Sequence, residues 1–261
     1  MKSYKCKKSA VNKLSFIIFF SFMLFCVSCG DNTATSVNSK AETYPSTYSF
    51  FDVDVNSTHS ISLKRRLDNI LGDHAVETRG TINLNINNTG LLKEHLPYFD
   101  GLNQRLNSPT GKPLLPAATS ERKISLIPER VEHNTLKLVY RYAVNKNLPF
   151  THVEFLFSQF NDTPLLIRVK FKKDDLNIVD NLHQKYGTPR EILWTDKNGK
   201  SLFWEKDGDI LILSFVPDQF GKPVYEVAIY FSKRIEDLLE SERLEREGRQ
   251  KKGVKSGQNV F

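Results

Sequence analysis

The sequence predicts an α+β protein: an antiparallel sheet with a helix packed on one face, preceded by a small N-terminal α+β subdomain. Three observations carry this. Past residue 121, apolar and polar residues alternate in run after run, the period of half-buried strands. Turn signals such as Asn198-Gly199 and Asp207-Gly208 separate the later runs. Only Leu176 to Tyr186 has helical spacing between them, so strands follow strands without a helix after each.

Taken in order, Tyr48, Phe50, Val53 and Val55 suggest a short strand, and Ser60 to Leu71 a helix with Leu63, Leu67, Ile70 and Leu71 on its stripe and Gly72 as its stop. Ile82, Leu84 and Ile86 alternate with Asn83, Asn85 and Asn87, which predicts a strand with one wet face. Thr89 is placed to cap a helix through Leu91, Leu92 and Leu96; Pro97 interrupts it, and Tyr98, Phe99, Leu102 and Leu106 resume the stripe. Residues 48–107 thus form the subdomain. A Pro-rich linker, 108–121, carries Pro109, Pro113 and Pro116.

The C-terminal domain, 122–247, opens with three strands: Leu136 to Tyr142, Val153 to Phe157 and Leu165 to Phe171, the last two joined at Asn161-Asp162-Thr163-Pro164. Asp174 or Asp175 caps the helix, Leu176, Val179, Leu182 and Tyr186 form its buried stripe, and Gly187 with Pro189 stops it. Four more strands follow, Ile192 to Trp194, Leu202 to Trp204, Ile210 to Phe215 and Val224 to Phe231. A charged helix from Lys233 to Gln250 docks through Ile235, Leu238 and Leu239, and residues 248–261 carry no core signal and are expected to form a disordered tail.

The N-terminus is an address. Five lysines precede an apolar run from Leu14 to Ser28, too short for the roughly 20 residues of a spanning helix, which marks residues 1–28 as a signal peptide. Val27-Ser28-Cys29-Gly30 resembles the lipobox of bacterial lipoproteins, with Cys26 where that family usually has leucine. The resemblance implies cleavage before Cys29, diacylation of its thiol and often a further acyl chain such as palmitate, so the partner is a membrane held through lipid. An ordinary signal peptide or an uncleaved anchor are the other readings. Residues 29–47 are small and polar, a flexible tether. Gly30 rather than Asp after the cysteine implies, by the enterobacterial sorting rule, the periplasmic face of the outer membrane.

Removing the signal changes the charge. The chain has 37 basic and 30 acidic residues; the five signal lysines leave 32 against 30, near +2. A folded domain so balanced lacks the basic footprint of nucleic-acid binding. Its cysteines, Cys6, Cys26 and Cys29, all lie in or at the signal, so the mature core holds without disulfides.

No GxSxG, HExxH, Walker, GxGxxG or CxxC motif is present, and the six histidines stand apart, so no catalytic, cofactor or metal residue is assigned. Two clusters are candidate surfaces. Tyr186, Trp194, Trp204 and Tyr225 fall on neighbouring elements and would either stack a glycan ring or a partner's side chain, or cover the sheet as an aromatic cross-strand pair. Lys137, Arg141, Arg168 and Lys170 form a basic row suited to anionic head groups, which is also the usual wet side of a sheet.

The run Leu182-His183-Gln184-Lys185-Tyr186-Gly187-Thr188-Pro189, then a strand, a turn and Trp204, resembles the helix, Gly-x-Pro, strand, Trp order of the SmpA/OmlA outer-membrane assembly lipoproteins. That implies an envelope protein partner. Function therefore divides into a membrane-surface binding or assembly module, a carrier of a small apolar ligand or lipid, and an enzyme built from scattered groups.

Overall fold

A computed structural model describes residues 44–56, 60–72, 75–77, 79–84, 86, 89–108, 131–141, 148–171, 177–194, 199–217, 220–221 and 223–258. The signal, Cys29, most of the tether, linker residues 109–121, Tyr142, Asp174, Asp175 and Leu176 lie outside the described residues.

The fold is α+β. Its strands are β1 Ala75–Glu77, β2 Thr135–Arg141, β3 Phe150–Ser158, β4 Pro164–Phe171, β5 Arg190–Leu193, β6 Lys200–Lys206, β7 Asp209–Pro217 and β8 Pro223–Tyr230. All pairings are antiparallel, in the order β1-β2-β3-β4-β8-β7-β6-β5. Helices α1 Ser60–Leu71 and α4 Ile178–Tyr186 share one face of the sheet with Leu138, Phe155, Ile167, Leu213 and Val227. Helices α2 Thr89–His95, α3 Pro97–Leu106 and α5 Ser232–Gln258 cover the other through Leu92, Phe99, Leu102, Ile235 and Leu238. Residues of the expected 48–107 subdomain thus complete the cores on both faces of the 122–247 sheet.

The strand order follows from two copies of one unit, a helix and a four-strand meander. Both helices end on a glycine with positive φ, Gly72 at 83° and Gly187 at 85°, whose N–H returns to the carbonyl four residues back, Asp68 and His183. Three residues after each glycine a strand starts, at Ala75 and Arg190. Ala75 pairs Val139 as Arg190 pairs Phe203, Leu138 pairs Phe155 as Leu202 pairs Leu213, and Phe155 pairs Ile167 as Leu213 pairs Val227. Residue i of β4 therefore matches residue i + 60 of β8 (167 with 227), and their own ladder closes under that rule. Ile167↔Ile229 maps to Val169↔Val227, Leu166↔Tyr230 to Lys170↔Glu226, and Arg168↔Ala228 to itself. A pseudo-twofold axis passes through the Arg168–Ala228 pair.

Several expectations change. Tyr48 to Val55 is no strand: Phe50 and Val53 exchange two 3.0 Å backbone bonds around Phe51 and Asp52, both at positive φ. This tight turn sends Phe50 and Phe51 against Phe150. Ile82, Leu84 and Ile86 are buried in alternation, yet residues 81–84 join no strand. They lie across the sheet face, and the Asn83 carbonyl accepts from Arg168 Nη2 at 3.1 Å and Tyr230 Oη at 3.2 Å. The alternation marks one buried face, but the Asn83 carbonyl is received by side chains, not by a neighbouring strand. Helix α5 runs ten residues past Gly248, so residues 248–258 are helical where a disordered tail is expected from the sequence.

Two members of the basic row, Arg168 and Lys170, are paired with acids. Arg168 faces Glu154 at 3.6 Å and Glu226 at 3.1 Å, and Lys170 meets Glu226 at 3.2 Å. Arg168, at 16% side-chain exposure, is covered by the segment that crosses this face, whereas Lys170 stays half-exposed. Burial raises the Glu154 carboxyl, but the His152 hydrogen bond and the Arg168 charge outweigh it and hold the group below the ordinary glutamate range. His133 is likewise a structural node: Nδ1 lies 3.0 Å from Glu242 of α5 and Nε2 3.0 Å from the Leu106 carbonyl at the end of α3.

In the two stripes, Leu63, Leu67 and Leu71 align with Ile178, Leu182 and Tyr186 when the two glycines are matched. Ile70 falls off the stripe and is 42% exposed. Leu182, expected to be fully covered, is only half-buried, because α4 is short and packs at the margin of the core. Leu67→Ala should therefore cost about 2 to 5 kcal/mol by lost transfer energy and a residual cavity. Leu182→Ala should cost roughly 1 kcal/mol, in proportion to the smaller area it removes from water. Urea melts of both variants check this; equal losses would show that the helices are docked alike.

Candidate functional site

The site is built where the second unit's helix ends. Gly187 closes α4 and turns its carbonyl to the indole of Trp204, whose Nε1–H donates at 2.7 Å. At the related position in the first unit stands Tyr140, whose phenol pKa is pushed up by burial and by the nearby Asp68 carboxylate. Beyond Trp204, the β6–β7 hairpin turns on Asp207 and Gly208, at φ 52° and 87°, the paired positive values that such two-residue turns need.

Residues 44–49 cross this corner. Lys206 Nζ donates to the Pro45 carbonyl at 2.5 Å, and the Tyr186 hydroxyl contacts both the N–H and the carbonyl of Ser49 at 3.2 Å. Tyr48 is buried edge-on to Tyr186 with ring centres 5.1 Å apart, and burial pushes its hydroxyl's pKa up. The Tyr44 ring lies over Gly187 so closely that a Cβ there would sit 3.1 Å from it.

A cleft of about 540 Å³ opens between this strap and the hairpin, walled by Tyr44, Tyr186, Trp204 and Phe203 and edged by Arg190, Glu205, Lys206 and Asp207. Arg190 stands 4.5 Å above the Phe203 ring and pairs with Glu205 at 2.5 Å. A second cleft of about 300 Å³ lies on the other side of Tyr48, Lys206 and Asp207, reaching Asp209 and the first turn of α5.

Of the aromatic quartet, Tyr186 and Trp204 meet at the first cleft; Trp194 and Tyr225 do not line it. Trp194 and Trp204 lie on opposite faces of the sheet and form no cross-strand pair. Strand parity separates them: Trp194 follows Ile192 on one face, whereas Trp204 follows Leu202 on the other. Across its hairpin Trp194 faces Gly199 instead, where a Cβ would come within 2.5 Å of the indole. Its Nε1–H donates to Ser201, and Tyr225 packs on Phe215 with ring centres 5.1 Å apart.

Tyr44 and Pro45 fall within the expected tether, 29–47, yet line the first cleft. An aromatic–proline pair in a run of small polar residues was the signal that the chain docks there. Among the described residues no group of His, Cys, Asp or Glu is arranged to hold a metal ion, and no helix is long and apolar enough to cross a membrane. Compared with family models, curated proteins and solved structures, the chain matches none.

Asp209 beside the second cleft is pushed up to about 6, chiefly by burial and also by Asp207, although the Ser232 N–H and Arg234 pull the other way. The folded protein keeps this proton to about pH 6, while the unfolded chain releases it near 3.8, so the unfolded state binds fewer protons between those values. Stability from this group falls as pH rises through that window. Asp209→Asn keeps an acceptor for Ser232 and removes the charge. Its melting temperature should match the parent's below pH 4 and exceed it above pH 6.5; a constant difference across pH would assign the effect to packing.

Proposed function

We propose that this chain is a lipid-anchored protein of the bacterial cell envelope whose folded unit is a binding module. The anchor reading rests on the Val27-Ser28-Cys29 break after a short apolar run. The observation that carries the binding reading is the cleft between the strap at Tyr44 and the β6–β7 hairpin, of a size typical of ligand sites and edged by convergent polar groups.

That edge weighs against the second reading, a carrier of apolar ligand or lipid, which needs an apolar wall throughout. An envelope protein partner, as the SmpA/OmlA resemblance implies, fits a binding module equally. In the outer membrane the domain would face the periplasm.

Two or three acyl chains, at about 0.8 kcal/mol per buried methylene, hold a protein durably. Cys29→Ser should thus move the chain from the membrane pellet to the soluble fraction, or leave an uncleaved precursor identifiable by mass. A mature Cys29→Ser protein still pelleting with membranes would defeat the lipid reading.

A further inference from the structure

The cleft's lining restricts its ligand, and we infer that it binds a short neutral glycan. This rests on the reading of the cleft as a binding site. Its four charged residues, Arg190, Lys206, Glu205 and Asp207, are two of each sign. Arg190 is matched by Glu205, and Lys206 is tied to the Pro45 carbonyl. An ionic ligand would find no net field to meet its charge, and would have to break the Arg190–Glu205 pair to gain one. A lipid chain would strand the same groups without water, at a cost of several kcal/mol for each buried charge.

A saccharide fits both limits. Its hydroxyls donate and accept, so carboxylates and cations that stay paired still have lone pairs and protons to offer it. Its axial C–H faces need a flat apolar wall. The Tyr44 ring, 42% exposed and braced from behind by the Gly187 backbone, supplies one, with Tyr186 beside it. Glu205 and Asp207, on and just beyond the end of β6, stand at the polar edge opposite.

The test is calorimetric titration of the full mature chain in detergent with three probes: triacetylchitotriose, a trigalacturonate and a neutral tripeptide. Binding of chitotriose with trigalacturonate at least tenfold weaker is expected. Tyr44→Ala should weaken chitotriose at least tenfold, and Asp207→Asn, which tolerates the turn's positive φ, several-fold, with melting temperatures near the parent's. Tripeptide binding that is lost in Tyr44→Ala, with no response to chitotriose, would overturn the glycan inference and keep the binding site. Silence from all three probes, or chitotriose binding indifferent to Tyr44, would overturn both for this cleft.

Discussion

One guanidinium holds the two units and their cover together. Arg168 lies on the pseudo-twofold axis, in the middle strand pair, and its side chain is only 16% exposed. A cation so placed is costly unless its charge is matched and its hydrogens find acceptors. Glu154 on β3 and Glu226 on β8 match the charge at 3.6 and 3.1 Å, and Nη2 donates to the Asn83 carbonyl of the covering segment and to the Tyr230 hydroxyl. The paired acids and Tyr230 outweigh the penalty of burial and push the guanidinium's pKa further up, so its charge is fixed at any pH the protein meets. Three strands and the cover are therefore tied by one group that cannot be switched off.

The same residue shows why the two units differ. Under the pseudo-twofold, Arg168 corresponds to Ala228, and Glu154 to Ile212. The second unit spends six residues, 194–199, between its first two strands, and its matching positions stay apolar. The first unit inserts 78–134 there, and Ile82, Leu84, Phe99 and Leu102 from that insertion close over the sheet. Backbone laid across a sheet face brings polar groups with no strand to pair them, and Arg168 and Tyr230 answer that need at Asn83.

Period and turn chemistry made most of the fold legible. Strands β2 to β4 and β6 to β8, the Asp207-Gly208 turn, and the glycine stops of α1 and α4 all depend on neighbours in sequence. What escaped depends on distant partners. Residues 81–84 have a strand's alternation, but whether a ladder or a set of side chains receives their backbone is decided by residues 85 and 147 positions away. The repeat is hidden in the sequence, because the stripes of α1 and α4 come into register only when their terminal glycines, Gly72 and Gly187, are matched. At the site, Tyr186 and Trp204 were found because a helix stop and a hairpin fix them locally. Trp194 was misplaced because only the register of its hairpin, not its spacing, determines the face it takes.

Gly187 shows how tightly the cleft is bound to the fold. It must hold φ at 85° to end α4, which favours a residue without a Cβ. It must turn its carbonyl to Trp204, which fixes the helix end to β6. It must also leave room for the Tyr44 ring. The strap that carries Tyr44 is seated at its other end by Phe50 and Phe51 among Phe150 and Phe171, in the first unit. The cleft therefore belongs to neither unit alone: the second supplies Tyr186, Phe203 and Trp204, and the strap, seated at its far end on the first, adds the Tyr44 ring.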